Sequence, residues 1–177
     1  VFLDLKYHDI PNTVAMAGVE ALRLGVWMYN VHALGGGEMM AKLVAEVDKV
    51  CPRGTPGRPL LIAVTILTSS TDATLQAIGI DRPVREMVPR LAKLAQEAGM
   101  DGVVASPQEV DLIRQPCGKD FAIVTPGVRP ATASLDDQQR VMTPFEALRA
   151  GADYLVIGRP ISAAPDPAAA AVAILAE

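Results

Sequence analysis

The stretch Asp4-Leu5-Lys6-Tyr7-His8-Asp9-Ile10-Pro11-Asn12-Thr13 joins an apolar strand to a helix through a charged corner. Side chains two residues apart share one face of a strand, so Asp4 and Lys6 are predicted to point together into whatever the strand lines. Asp9 falls past the strand end, and Pro11 is unsuited to the interior of a central strand. Charges of both signs at a buried strand end cost free energy unless they are paired, so their presence here indicates a functional site.

Length and composition limit the possible classes of protein. The chain has 177 residues, enough for one hydrophobic core and too few for two comfortable domains, so residues 1–177 are predicted to form a single domain. Half of the residues are apolar and only 4% are aromatic, which is typical of a parallel α/β core. The net charge of -4 argues against a nucleic-acid surface, and no apolar run has membrane-spanning length. The two cysteines lack metal-type spacing, so we expect reduced thiols in a cytoplasmic protein.

One unit recurs along the chain: a short β-branched run, a polar corner and a helical stretch. Such alternation predicts a parallel sheet, either open and doubly wound or closed into a (β/α)8 barrel. The predicted strands cover residues 1–6, 27–32, 60–65, 102–105, 121–125 and 154–157. The predicted helices cover roughly residues 12–24, 36–50, 83–98, 107–115, 143–150 and 167–176, with Asn12 or Thr13 as the cap of the first.

The positions of the polar residues favour the barrel. They fall at or just after the carboxyl ends of predicted strands, and in a barrel those ends converge on one mouth. An open sheet would bring together only the strands beside its switch point, and no glycine-rich dinucleotide fingerprint follows the first strand. The residues at these strand ends are Asp4, Lys6, His32, Thr65, Thr68, Ser106, Arg129, Gly158 and Arg159.

Several motifs in series resemble those of a known family. The segment from Asp4 to Asp9 resembles the Asp-x-Lys-x-x-Asp signature of the orotidine 5'-phosphate decarboxylases, in the form that bacterial members carry. Further matches follow in the family's order at residues 30–33, 63–69, 125–129, 137–140 with 143–144, and 157–161. The resemblance implies a (β/α)8 TIM-type barrel that converts orotidine 5'-phosphate (OMP) to UMP in pyrimidine biosynthesis. It also implies a cytoplasmic homodimer that uses no metal or other cofactor.

The resemblance implies roles for individual residues. Lys6 would donate the proton that quenches the C6 carbanion of the pyrimidine after carbon dioxide leaves, with the carboxylate of Asp4 beside it. Asp9 would reach into the site of the partner subunit, and Thr13 would follow it across the interface. Thr68 would contact the pyrimidine amide. The residues expected to hold the 5'-phosphate are Arg129, Gln138, Gly158 and Arg159.

The start of the chain departs from the family pattern. The family's barrel has two βα units before the signature strand, whereas this chain starts inside that strand. We therefore expect residues 1–177 to be the carboxyl-terminal six βα units of the barrel, with the first two units absent.

Three alternatives compete with the decarboxylase interpretation. One is a sugar-phosphate decarboxylase or aldolase, which shares the Asp-x-Lys-x-x-Asp strand and uses Mg²⁺. Another is a nucleotide-binding remnant that grips the phosphate without turnover. The third, which concerns the charged corner alone, is a structural ion network formed by Asp4, Lys6 and Asp9.

Overall fold

The computed structural model describes residues 1–129 and 142–176, and within them one six-stranded parallel sheet forms, in which each strand pairs with the next along the chain. None of the described helices is long and apolar enough to cross a bilayer. The strands are β1 Phe2–Tyr7, β2 Met28–His32, β3 Leu60–Val64, β4 Gly102–Val104, β5 Ala122–Pro126 and β6 Tyr154–Val156. The helices are α1 Pro11–Arg23, α2 Gly36–Val50, α3 Asp72–Ala77, α4 Val84–Glu97, α5 Val110–Cys117, α6 Pro144–Arg149, α7 Arg159–Ser162 and α8 Pro167–Leu175.

The predicted elements are present, with small shifts at their ends. Each predicted strand lies within one residue of an observed one, because short β-branched runs between turn residues mark strands well. The predicted cap of the first helix is wrong: α1 begins at Pro11, and Ile10 precedes it without a side-chain cap. Proline suits the first helical position because its missing N–H would have no partner there. The prediction omitted α3 and α7, which at six and four residues are too short to show periodicity.

The sheet curves around a common interior. The rings of Trp27, which precedes β2, and Tyr154, which begins β6, have centroids 5.0 Å apart. Since β3, β4 and β5 lie between those two strands, a flat sheet would separate them by about 19 Å, four steps of about 4.8 Å. The six strands therefore form part of a barrel, as the strand-end pattern predicted.

Side chains alternate between the inner and outer faces of this curved sheet. Met28, Ile62 and Val124 form a small buried cluster on the inner face. Their chain neighbours, such as Tyr29 and Leu61, belong to the main core cluster, which also contains the buried residues of the helices. The period of two residues thus separates a helix-covered core from the interior of the partial barrel.

Ion pairs connect neighbouring strands at their amino-terminal ends, and one of the two pairs is buried. Asp101, just before β4, accepts a main-chain N–H from β3 at 2.8 Å and pairs with Arg58 at 3.0 Å. Asp153, just before β6, accepts a main-chain N–H from β5 at 2.7 Å and pairs with Arg114 at 2.7 Å. This end of the barrel serves stability, which leaves the carboxyl ends of the strands for a functional site.

Candidate active site

A cavity of about 230 Å³ lies at the carboxyl ends of the strands. Asp4 and Lys6 of β1 form part of its wall, and Thr68 lies in the loop after β3 that forms another part. The structure thus brings together three of the residues that the sequence singled out. The other lining residues are Phe2, Val64, Ile66, Leu67, Ser69, Val104, Pro126 and Val156.

Asp4 and Lys6 form an ion pair inside a small hydrogen-bond network. Lys6 Nζ lies 2.7 Å from Asp4 Oδ1, and the two side chains are 37% and 46% exposed, so water reaches the pair. The same carboxylate oxygen accepts a hydrogen bond from Asn30 Nδ2 at 2.6 Å. Asn30 lies in β2 and is 1% exposed. Sequence reasoning assigned Asn30 no role, although a buried amide in an apolar strand is a usable signal, because it must find hydrogen-bond partners.

The backbone at Lys6 has an unusual conformation. Its φ angle is +53°, and Lys6 is the one non-glycine residue with a positive φ in the described part of the chain. The pairing of β1 with β2 also shifts register between Leu3 and Tyr7. The left-handed region costs an L-residue about 1–2 kcal/mol, and such strain concentrates at functional sites. Because the backbone is irregular here, simple strand alternation does not account for how Lys6 comes to face Asp4.

Asp9 and Thr13 lie away from the cavity. Asp9 Oδ1 accepts the N–H of Ile10 at 2.7 Å, and Asp9 lines a separate open cleft beside the start of α1. Thr13 is exposed in the first turn of α1. Among the described ion pairs, Lys6 has Asp4 as its carboxylate partner and does not meet Asp9 of its own chain.

The candidate phosphate-binding residues lie after β5 and β6. Arg129 is 7% exposed; one of its terminal nitrogens donates to the Val128 carbonyl at 3.1 Å, and its Nε has no hydrogen-bond partner among the described residues. Gly158 precedes α7, with open space where a Cβ would project, and Arg159 is the exposed first residue of that helix. Gln138 lies outside the described residues.

A pair of histidines lies beside the charged network. The ring centroids of His8 and His32 are 5.5 Å apart. Burial lowers the pKa of the half-buried His32, and the nearby His8 and Lys6 lower it further, against a smaller opposite effect of Asp4. Residues 1–129 and 142–176 contain no group of three or more His, Cys, Asp or Glu side chains that could hold a metal ion.

Comparison with known proteins gives the family. A sequence model described as the orotidine 5'-phosphate decarboxylase / HUMPS family matches residues 1–174. The chain belongs to this family. The resemblance inferred from the motifs is thereby confirmed.

Two relatives and one solved structure from the orotidine 5'-phosphate decarboxylase / HUMPS family show how far the similarity extends. The orotidine 5'-phosphate decarboxylases of Geotalea uraniireducens and Geotalea daltonii are 68% and 67% identical over 177 residues, and the match covers all of this chain and 73% of each relative. The crystal structure of the enzyme from Lactobacillus acidophilus is 42% identical, with a TM-score of 0.83 over 99% of this chain and 73% of that one. The six parallel strands therefore form part of the family's barrel, which confirms the predicted fold class.

Proposed function

We propose that this protein is a carboxy-lyase that decarboxylates orotidine 5'-phosphate to UMP in pyrimidine biosynthesis. The observation that carries the proposal is the Asp4–Lys6 ion pair, which lies in a cavity at the carboxyl ends of the strands. The chain that holds this pair is 68% identical to the OMP decarboxylase of Geotalea uraniireducens. The family description also includes HUMPS proteins, and the names of the two Geotalea relatives favour the decarboxylase.

Lys6 is the proposed proton donor. Loss of carbon dioxide from C6 of the pyrimidine leaves an electron pair that the ring π system cannot accept, so the site must stabilise a localised carbanion by electrostatics. An ammonium group provides both a positive charge and a proton for that carbon. Asp4 orients the ammonium group through the 2.7 Å contact, and its negative charge faces the substrate carboxylate before that group departs.

The phosphate-binding residues supply binding energy away from the reacting carbon. Arg129 has a buried guanidinium whose Nε lacks a partner among the described residues, which suits a group that awaits an anionic ligand. Gly158 allows a phosphate to approach the main chain, and Arg159 supplies a second guanidinium. We assign Gln138 to the same phosphate site from its motif, and Thr68 to the pyrimidine amide from its position on the cavity wall. Binding energy from the phosphate can then orient the base for reaction.

The proposed active unit is a homodimer with shared sites. Asp9 does not meet Lys6 within one chain, and the exposure of Asp9 and Thr13 leaves both free to enter the site of a second subunit. Each subunit would contribute one barrel domain, which includes residues 1–177, and the enzyme would act in the cytoplasm. We expect catalysis to require neither a metal ion nor an organic cofactor.

A substrate comparison tests the proposal. The intact protein is assayed for carbon dioxide release from OMP and for consumption of a sugar-phosphate substrate, each with and without EDTA. OMP turnover that EDTA does not reduce is the expected result. EDTA-sensitive turnover of the sugar phosphate alone would support the Mg²⁺-dependent alternative, and UMP binding without turnover of either substrate would support a nucleotide-binding remnant.

A further inference from the structure

Asn30 links the two halves of the charged network. Its Oδ1 accepts the main-chain N–H of Lys6 at 2.8 Å, and its Nδ2 donates to Asp4 Oδ1 at 2.6 Å. Lys6 Nζ donates to that same carboxylate oxygen at 2.7 Å. The three residues therefore form a closed ring of contacts in which only Asn30 belongs to a different strand.

The direction of the Asn30 amide follows from its partners. A main-chain N–H can only donate a hydrogen bond, so it requires the amide oxygen, whereas an ionised carboxylate can only accept one, so it requires the amide nitrogen. The flipped amide would place two donors together and two acceptors together. Because Asn30 is 1% exposed, water cannot substitute for either bond. The amide is thus held in one orientation, and it holds both neighbours in turn.

The contacts of Asn30 coincide with the strained part of β1. Lys6 has a φ of 53°, and its N–H donates to β2 in the region where the strand pairing shifts register. A left-handed residue in a strand persists only where surrounding contacts specify it. The bond from the Lys6 N–H to Asn30 Oδ1 is such a contact.

We propose that Asn30 is a positioning residue for the decarboxylation: its amide holds the Lys6 main chain in the left-handed conformation and fixes the Asp4 carboxylate, so that the ammonium group faces the cavity. The inference rests on the proposed function. Asn30 itself does not line the cavity and acts on the substrate only through Lys6 and Asp4. The aligned ammonium group is needed most when the carbanion forms, so Asn30 should influence kcat more than ligand affinity.

Three variants of the intact protein test the inference. Asn30→Leu keeps the number and the branching of the side-chain heavy atoms but makes neither hydrogen bond. Asn30→Asp keeps the shape of the amide and can reproduce both bonds only when the new carboxyl group is protonated. Tyr29→Phe is the matched control, because Tyr29 is 0% exposed, neighbours Asn30 in β2 on the outer face, and has a hydroxyl without a hydrogen-bond partner in the described part of the chain.

The expected results separate positioning from a general structural role. A displacement of about 1 Å can reduce a rate about 100-fold, so Asn30→Leu should lower kcat by that order while UMP affinity stays within about threefold. Tyr29→Phe should leave both unchanged. In Asn30→Asp the new carboxyl group and Asp4 repel each other when both are ionised, so they retain one proton more readily than isolated acids. The kcat of that variant, divided by the parent kcat at the same pH, should therefore rise as pH falls from about 8 to about 5.

Other outcomes would overturn the inference or the proposed function separately. If the parent protein does not turn over OMP, the proposed function is rejected. The positioning role of Asn30 is then tested by a crystal structure of Asn30→Leu, and a Lys6 that keeps its positive φ in that variant would reject it. With an active parent, unchanged kcat in Asn30→Leu, or equal losses in kcat and UMP affinity, would reject the positioning role. If Asn30→Leu does not fold, the Asn30→Asp profile decides, and a kcat ratio independent of pH rejects the inference.

Discussion

Replacing Lys6 by alanine removes the ammonium group that lies 2.7 Å from Asp4 at the wall of the cavity. We expect Lys6→Ala to abolish measurable turnover of OMP while UMP binding survives. The reason is that UMP has already lost the carboxylate and carries no carbanion, so it needs the ammonium group less than the transition state does.

The size of the effect follows from the charge that is lost. Two unit charges about 4 Å apart attract by about 4 kcal/mol at an effective dielectric constant of about 20. Each ~1.4 kcal/mol of barrier is a factor of ten in rate, so the loss of the positive charge alone should lower kcat about 1,000-fold. Loss of the general acid adds a further factor of about 10²–10⁴.

The same substitution should have little effect on folding. The Lys6 and Asp4 side chains are 37% and 46% exposed, and an exposed ion pair contributes about 0–1 kcal/mol to stability. Alanine meets the same left-handed penalty at this position as lysine does, so the backbone strain is unchanged. A large loss of kcat in Lys6→Ala would therefore reflect chemistry.

The kcat is measured from the loss of OMP absorbance, the UMP affinity by calorimetric titration, and the stability by thermal unfolding. Lys42→Ala is the matched control, because Lys42 is 42% exposed and also forms a 2.7 Å ion pair, with Glu46 on α2. The control should retain the parent kcat. A kcat for Lys6→Ala within tenfold of the parent would refute the assignment of Lys6 as proton donor.

Further substitutions test phosphate binding, the sharing of sites across the dimer interface and the pH dependence of stability. Arg159→Ala should weaken binding of UMP much more than binding of uridine, since only UMP has a phosphate. The control Arg90→Ala, at an exposed position on α4, should weaken binding of neither ligand. Equal losses of affinity for both ligands in Arg159→Ala would reject the phosphate assignment. Heterodimers of Lys6→Ala and Asp9→Ala chains should regain up to about half of the parent activity, because one site of a symmetric dimer combines both lesions and the other has neither. No recovery in verified heterodimers would mean that Asp9 does not act across the interface. Burial lowers the pKa of His32, so the unfolded state binds its proton more readily, and the free energy of unfolding should decrease as pH falls below about 6.5. Urea titrations should show a smaller decrease in His32→Gln, and an identical pH dependence would contradict that linkage.

The sequence predicted the barrel architecture because the relevant signals are local. β-branched runs mark each strand, and polar residues at the strand ends indicate the mouth of the barrel. This pattern predicted that Asp4, Lys6 and Thr68 lie near one another, but it did not predict the left-handed backbone at Lys6.

The remaining features depend on contacts that no local pattern encodes. The positive φ of Lys6 depends on a hydrogen bond to Asn30, which is 24 residues away in sequence. The pairing of Arg58 with Asp101 spans 43 residues, and it is visible only once the strands are aligned. The role of Asp9 was expected from family resemblance, because the position of one chain against another leaves no periodic trace in the sequence.

A crystal structure of the protein with UMP bound is the most direct test of the proposed site. We expect C6 of the pyrimidine to lie about 3–3.5 Å from Lys6 Nζ, within reach of proton transfer. We also expect the phosphate to contact Arg129 and Arg159, and Asp9 of the second subunit to lie at the same site. A phosphate bound at Lys6, or UMP bound outside the cavity of Asp4 and Lys6, would contradict the proposed site.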